Sequence, residues 1–177
     1  GLWAQTLKVT TGTNTVDAGN TQATPQAPAG GPAPAFSIDV AQLGGMYAGK
    51  IVLVGTEAGV GVRNAGHLGA SAGEVMVTVD GQLINSGSVI AAGNVGPNST
   101  SEIQNNGLVS AGGTLSVTAA TLSNADTRSV NAGLEGQALT INAGQINNRN
   151  GALRADTTLA IHSSGTLDNG GGLISSV

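Results

Sequence analysis

The chain has 177 residues, of which 9% are charged and 2% aromatic, and its formal net charge is −4. Its six basic residues are scattered, so no basic stripe is available for a phosphate backbone, and nucleic-acid binding is not expected. Cysteine is absent, which excludes disulfides, thiolate metal sites and a thiol nucleophile. The sequence contains no run of 18 apolar residues, which is about the length that a helix needs to cross a membrane.

The N-terminal part begins as an extended segment and then changes in character. Within residues 1–16, Leu7 and Val9 alternate with polar residues as a strand requires. Residues 17–35 contain four of the five prolines, which lack the amide that an interior strand donates. This stretch is either a flexible linker between two domains or a loop extruded from a repetitive stack. We favour the loop, because repeat-like sequence resumes after it.

Residues 36–61 predict two strands joined by a glycine-rich connector. The first has the alternating residues Phe36, Ile38 and Val40, and the second is the β-branched run 51–54. A group of charged residues surrounds the glycine-rich turn that follows, and we interpret it as an ion-paired cluster. Its members are Lys50, Glu57 and Arg63.

From residue 62 one phrase returns: an aliphatic residue, any residue, Asn, any residue, Gly, any residue, an aliphatic. It occupies 62–68, 83–89 and 103–109, with looser copies near 124, 148 and 169. The mean step between the asparagines is 21 residues, and self-similarity at such a period is typical of a solenoid. The phrase predicts a structural turn ladder of Asn64, Asn85, Asn105, Asn124, Asn148, Asn169, Gly66, Gly87 and Gly107.

Beside this phrase runs a second series of aliphatic residues. Val75, Val95 and Leu115 are separated by steps of 20 residues. Gly96-Pro97 directly follows Val95, so we expect a bulge or loop there. The longest asparagine step contains residues 126–129, which predicts a few inserted loop residues at that point.

Each copy therefore predicts two or three short strands and no helix, because glycine recurs too often for helices. One copy cannot bury its apolar face alone, whereas stacked copies can. The fold predicted is an all-β parallel β-helix of about 21 residues per coil, and six copies at ~4.8 Å rise give a rod of roughly 30 Å. Leucine-rich repeats share the step length but need a helical stretch in each copy.

Candidate chemistry is sparse. The asparagines could form a row of glycan-binding amides, but a structural role at turns is favoured, with the glycines supplying positive φ. His67 and His162 are more than four coils apart, and the carboxylates do not recur at the repeat spacing. We therefore predict no metal, no cofactor and no enzymatic activity. Trp3 and Tyr47 could form a sugar-stacking platform, although packing is favoured.

The stretches 36–40, 43–51 and 55–64 resemble the end of the secretion domain of filamentous haemagglutinin-type exoproteins, the secreted partners of bacterial two-partner secretion. The asparagine–glycine copies that follow resemble the first haemagglutinin repeats of the same proteins, whose relatives include haemolysins and contact-dependent inhibition toxins. This resemblance divides the chain into residues 1–61, with the extruded loop 17–35, and residues 62–177. Because the chain opens on Gly1 rather than Met, we expect its natural start to lie upstream.

The resemblance implies a right-handed parallel β-helix, exported by an outer-membrane transporter to the surface of a Gram-negative bacterium. It implies the shaft of an adhesin or of a toxin-presenting filament, with receptors or glycans on host or neighbouring cells as further partners. The alternative is a carbohydrate-binding module with a site near the N-terminal loop. A glycan array with the isolated chain separates the two hypotheses.

Overall fold

The computed structural model describes residues 1–27, 30–129 and 131–177; Pro28 and Ala29, in the predicted loop, and Val130 lie outside the described residues. Within these ranges every regular element is a strand, and no helix is long and apolar enough to cross a membrane. Fifteen strands form one sheet, wound as a β-solenoid of about seven turns with ~21 residues per turn, and the other two form a hairpin. The predicted fold class is confirmed.

The strands, in chain order, are β1 (Leu2–Thr11), β2 (Asn14–Val16), β3 (Ala23–Pro25), β4 (Phe36–Val40), β5 (Gly45–Gly55), β6 (Gly61–Asn64), β7 (His67–Ala70), β8 (Val75–Val79), β9 (Leu83–Asn85), β10 (Ser88–Ala91), β11 (Val95–Ser99), β12 (Glu102–Asn105), β13 (Leu108–Ser123), β14 (Gly133–Asn147), β15 (Ala152–Ser163), β16 (Leu167–Asp168) and β17 (Leu173–Ser176). The stack exceeds the six predicted copies because β1 and β5, which precede the asparagine phrase, belong to it.

Each full turn crosses three faces. The first face contains β7, β10, β17 and the N-terminal halves of β1 and β5, and the second contains β8, β11 and the C-terminal halves of β1 and β5. The third contains β4, β6, β9, β12 and β16. The long strands β13 and β14 run along all three faces without interruption. All these pairs are parallel and largely in register, which sets adjacent turns ~4.8 Å apart.

The core follows from the alternation along each strand. In β8, Val75, Val77 and Val79 are buried, whereas Met76 and Thr78 face outward. The largest fully buried side chains are all aliphatic: Ile51, Leu53, Leu115, Leu122, Leu134, Leu139, Ile141, Leu153, Val60, Val62, Val75 and Val79. The core is therefore a narrow aliphatic column, and each turn depends on its neighbours to close it.

After Thr11 the chain leaves the stack as an antiparallel hairpin of β2 and β3, and it returns at Phe36. The hairpin turn is held by the carboxylate of Asp17, which accepts the backbone N–H groups of Thr21 and Gln22 at 2.7 Å. Pro25 ends β3, a position that an edge strand tolerates because no interior amide is needed there. Part of the predicted loop 17–35 is thus a short strand.

The expected interruption at Gly96-Pro97 was wrong. Strand β11 runs through both residues and pairs with β8 at every position from Val95 to Ser99. Its pairing with β13 is reduced to Val95 and Asn98. In a parallel ladder a proline removes one donor rather than the whole strand. Met76 of the preceding turn covers Gly96, so the glycine makes room for the methionine side chain.

The insertion predicted near residues 126–129 is confirmed. Strand β13 ends at Ser123 and β14 begins at Gly133, whereas only two residues separate β12 from β13. Asp126 and Asn131 adopt left-handed φ angles of 59° and 65°. The Asp126 N–H donates to the carbonyl of Arg149, so this longer loop stacks on the turn that follows it.

Candidate functional site

The six asparagines lie one above another where the third face of each turn meets the first face of the next. The side-chain Nδ2 of each of the first five donates to the Oδ1 of the next asparagine in the series. The donor–acceptor distances are 2.8 Å for the first four bonds and 2.6 Å for the last. We call Asn64, Asn85, Asn105, Asn124, Asn148 and Asn169 the asparagine ladder.

The second hydrogen of each amide nitrogen donates to a backbone carbonyl. Asn64 donates to Ser88 at 3.1 Å, and Asn124 donates to Ala152 at 3.0 Å. All members except Asn169 are buried, so an unpaired amide would cost roughly 1–3 kcal/mol. The amides all point the same way along the stack, an arrangement in which each bond polarises the next. Their burial keeps them away from a glycan.

The column of the ladder continues toward the N-terminus with an apolar residue. Val40 of β4 is in register with Asn64, and its side chain is buried. The Oδ1 of Asn64 instead accepts the N–H of Gly66 at 3.2 Å. The ladder therefore begins one turn after the solenoid resumes at β4.

The glycines of the phrase have a different role from the one expected. Gly66, Gly87 and Gly107 are not among the residues with positive φ. A Cβ at Gly87 would collide with the carbonyl oxygen of Gly66, and one at Gly107 would collide with that of Gly87. These glycines are required because the backbones of successive turns approach closely, so the positive-φ prediction was wrong.

The predicted cluster of Lys50, Glu57 and Arg63 does not form. The Lys50 ammonium lies 2.7 Å from the Glu74 carboxylate, one turn away. Charged side chains in a solenoid meet the residue above or below them rather than a neighbour in sequence, which is why the cluster was misassigned.

Arg63 likewise pairs across one turn, with Asp39 of β4. Its Nε donates to the Asp39 carboxylate at 2.9 Å, and its guanidinium lies 5.0 Å from the centre of the Phe36 ring. The hydrogen bond and charge of Arg63 lower the pKa of Asp39. This exposed ion pair and the contact with the Phe36 ring connect β6 to β4.

The two histidines lie on different faces of the stack and do not contact each other. The Nδ1 of His67 lies 2.7 Å from the hydroxyl of Ser88, and His162 is exposed on a different face. Within the described ranges, no three His, Cys, Asp or Glu side chains converge as metal ligands would.

Trp3 and Tyr47 pack against each other, but they do so on the outside of the stack. The rings of Trp3 and Tyr47 are stacked with centroids 4.5 Å apart, but Trp3 is 77% exposed. The two residues are in register on the outside of the first face, where side chains point to solvent. Sequence spacing did not reveal this because the two strands are joined through the hairpin excursion. Grooves of about 450 and 270 Å³ lie beside the pair.

The sequence model of the haemagglutinin repeat matches residues 9–67, 70–135 and 134–171, which together cover most of the chain. The chain belongs to the haemagglutinin-repeat family. The first matched range runs across residue 61, the boundary that the resemblance suggested between two parts of the chain. In the structure β4 and β6 pair across the same region without a break in the stack.

This haemagglutinin-repeat chain is 50% identical over 109 residues to a protein named Toxin CdiA from Yersinia pestis, a match covering 62% of the chain and 3% of the relative. It is 51% identical over 90 residues to a tRNA nuclease CdiA-2 from Burkholderia pseudomallei strain 1026b, covering 51% of the chain and 3% of the relative. A 16S rRNA endonuclease CdiA from Enterobacter cloacae is 34% identical over 163 residues, a match covering 89% of the chain and 5% of the relative. No solved structure matches.

The haemagglutinin-repeat chain spans only 3–5% of the length of these curated relatives. Family and fold together identify it as a shaft segment of a large exoprotein, secreted by or displayed on a Gram-negative bacterium. The predicted resemblance and location are therefore confirmed.

Proposed function

We propose that this segment is a stiff spacer, exported by an outer-membrane two-partner secretion transporter, that holds an adhesive or toxic region of its exoprotein away from the cell. The observation that carries the proposal is the parallel pairing of each turn with the next, from β5 to β17. The relatives' names describe toxins and nucleases, but those activities belong to whole proteins of which this segment matches 3–5%. We assign no catalytic step to the segment.

Pairing between adjacent turns also suits export. A turn of about 21 residues contacts mainly the turns before and after it, so its contacts are local in sequence. Each turn that emerges from the transporter can dock on the previous one and bury its aliphatic residues without waiting for distant chain. This stepwise burial favours outward movement of the chain.

Within this spacer we assign the asparagine ladder and the glycines at 66, 87 and 107 a structural role. The ladder satisfies buried amides only when successive turns are in register, since a shift of one residue would take each asparagine away from its partner. The glycines let the same turns approach closely. Together these residues favour one register over others.

We further propose that residues 1–61 are the end of the secretion domain, with the loop 17–35 extruded from it, and that residues 62–177 are repeats. The transporter is then the partner during export. Receptors or glycans on host or neighbouring cells are the partners of the whole exoprotein.

The test is to delete one turn from the segment within its full exoprotein. Removing residues 88–107 joins Gly87 to Leu108, which takes the register position of Ser88. A spacer shortened by one turn should still be secreted and should keep its adhesive or inhibitory activity. The matched control removes residues 88–97 only, which misaligns the faces and should stop export.

If the one-turn deletion is secreted at the normal level but loses the activity, the segment is a recognition element and the spacer proposal is overturned. Equal secretion of both deletions would contradict the importance of the register.

A further inference from the structure

The corner loop between β13 and β14 contacts two of the turns that follow it. The backbone N–H of Arg128 donates to the carbonyl of Asn150, in the next turn, at 3.0 Å. The side chain of the same arginine passes that turn, and its Nη1 donates to the carbonyl of Gly171 at 2.9 Å. One residue of the loop therefore holds two successive turns at once.

This contact differs in reach from the other side-chain hydrogen bonds of the stack. The bonds of the asparagine ladder and the ion pair of Arg149 with Asp168 each join adjacent turns. Among the residues that the structure describes, the bond from Arg128 to Gly171 is the side-chain hydrogen bond that skips a turn. Two turn heights are about 10 Å, a distance that a long side chain on a protruding loop can span.

Three successive corners share the backbone shape that makes this contact possible. Asp126, Asn150 and Gly171 take equivalent places in them, and their φ angles of 59°, 50° and 67° are all left-handed. The Nδ2 of Asn150 donates to the Asp126 carboxylate at 3.2 Å. A Cβ at Gly171 would come within 2.4 Å of the Asn150 Oδ1, so the glycine lets the third corner stack closely on the second. Its carbonyl is thereby brought within reach of Arg128.

A second arginine supports the loop from the next turn. The Nη1 of Arg154 donates to the carbonyl of Ala132 at 2.9 Å, and its Nη2 donates to the carbonyl of Arg128 at 3.4 Å. Inside the loop, the buried hydroxyl of Thr127 donates to the carbonyl of Asn124 at 2.8 Å. Hydrogen bonds from a guanidinium are stronger than those between neutral groups. We call Thr127, Arg128 and Arg154 the corner clamp.

We propose that the corner clamp is a mechanical lock, which makes residues 124–177 resist a pulling force as one unit. In a solenoid without such a contact, a pulled end loses one turn at a time, because each turn is held mainly by its neighbours. Here the outermost turn is held by the ladder and also by Arg128, so it needs the largest force to leave. Once it leaves, the turns behind it already bear more force than they withstand, and they follow in the same event.

This inference deepens the proposed function and rests on the spacer role for its purpose, since a shaft that joins two surfaces is under tension. The two can fail separately. The lock is tested on the isolated chain, whereas the deletion of residues 88–107 tests the spacer in the full exoprotein and leaves the corner clamp in place.

The experiment stretches the 177-residue chain in optical tweezers. The chain contains no cysteine, so one cysteine added at each end attaches the pulling handles at those two points alone. An extended residue spans about 3.4 Å, so one turn of about 21 residues releases roughly 70 Å, whereas residues 124–177 together release roughly 180 Å. We expect the unaltered chain to show the long step. Arg128→Ala should replace it by steps of about one turn or less, the first of them at a lower force.

The matched control is Arg149→Ala, which removes an exposed arginine and its ion pair with Asp168 from the same corners but no contact that skips a turn. It should keep the long step, and circular dichroism would establish that both variants remain folded. Turn-sized steps in the unaltered chain, or an undiminished long step in Arg128→Ala, would overturn the proposal. So would an equal loss of the long step in both variants, because contacts between adjacent turns would then account for the coupling.

Discussion

The side-chain Nδ2 of Asn105 lies 2.8 Å from the Oδ1 of Asn124, although 19 residues separate them in sequence. Both residues are buried, and both continue the series in opposite directions along the stack. One side chain in the middle of the ladder therefore determines whether two neighbouring amides are satisfied.

Replacing Asn105 by alanine should lower the free energy of unfolding by roughly 2–6 kcal/mol. The substitution leaves the Nδ2 of Asn85 and the Oδ1 of Asn124 without their partners, and each orphaned buried group costs about 1–3 kcal/mol. Urea unfolding measures the change. Asn98→Ala, on the exposed side of the stack, is the control and should change stability by less than about 0.5 kcal/mol.

A substitution of Val40 tests whether the ladder can be lengthened. Val40→Asn places an amide in register with Asn64, where its Nδ2 can donate to the Asn64 Oδ1. Losing the buried valine costs about 1.5–3 kcal/mol, which the new amide bonds at about 1 kcal/mol each partly offset. Val62→Asn has no amide partner in its column and should be clearly more destabilising. An equal loss of stability in both variants would show that the ladder cannot be extended to position 40.

The close approach of the glycine backbones leads to a third prediction, which does not involve the asparagine ladder. Gly107→Ala should destabilise the chain by about 1–3 kcal/mol, because its methyl group meets the carbonyl oxygen of Gly87 and the turns must separate. Gly19→Ala, in the exposed hairpin where a Cβ makes only ordinary contacts, serves as the control. Calorimetry should show a lower melting temperature only for the former.

Acid should remove the contribution that the Asp168 carboxylate makes to the stability of the fold. Its pKa is lowered from the ordinary 3.8, first by the Gly170 N–H and then by the side chain of Arg149. A lowered folded pKa means that this carboxylate stabilises the fold above about pH 4 and loses its effect as the pH falls through the folded value. Asp168→Asn should therefore be less stable than the unaltered chain at pH 6, and the difference should shrink as the pH falls below about 4. A pH-independent difference would contradict this origin.

Stepwise docking during export predicts that charge in the core stalls secretion. Val77 and Val79 are buried in β8, so replacing both by aspartate should lower the secreted amount of the exoprotein roughly tenfold or more, because charges without partners oppose burial of that turn. The control places the same two charges at the outward positions Met76 and Thr78. Undiminished secretion of the Val77/Val79 variant, measured in the culture supernatant, would contradict the mechanism.

The N-terminal turns show where inference from sequence reached its limit. The spacing of the phrase at Asn64, Asn85 and Asn105 predicted stacked turns, because a repeated buried position is visible in sequence. The partner of Lys50 and the exposure of Trp3 were not predicted, since both depend on which turn lies above or below. The hairpin after Thr11 adds residues without advancing the stack, and so hides the register of Trp3 with Tyr47.

The sequence by itself determined the period, the strand alternation and the aliphatic core, because each is a property of residues about 21 apart and of their polarity. The tertiary structure decided what fills the space between turns. It showed that the Asn-x-Gly phrase needs its glycine for close backbone contact rather than for positive φ. It also showed that Lys50 meets Glu74 and that Trp3 meets Tyr47, because the height of one turn sets which side chains meet.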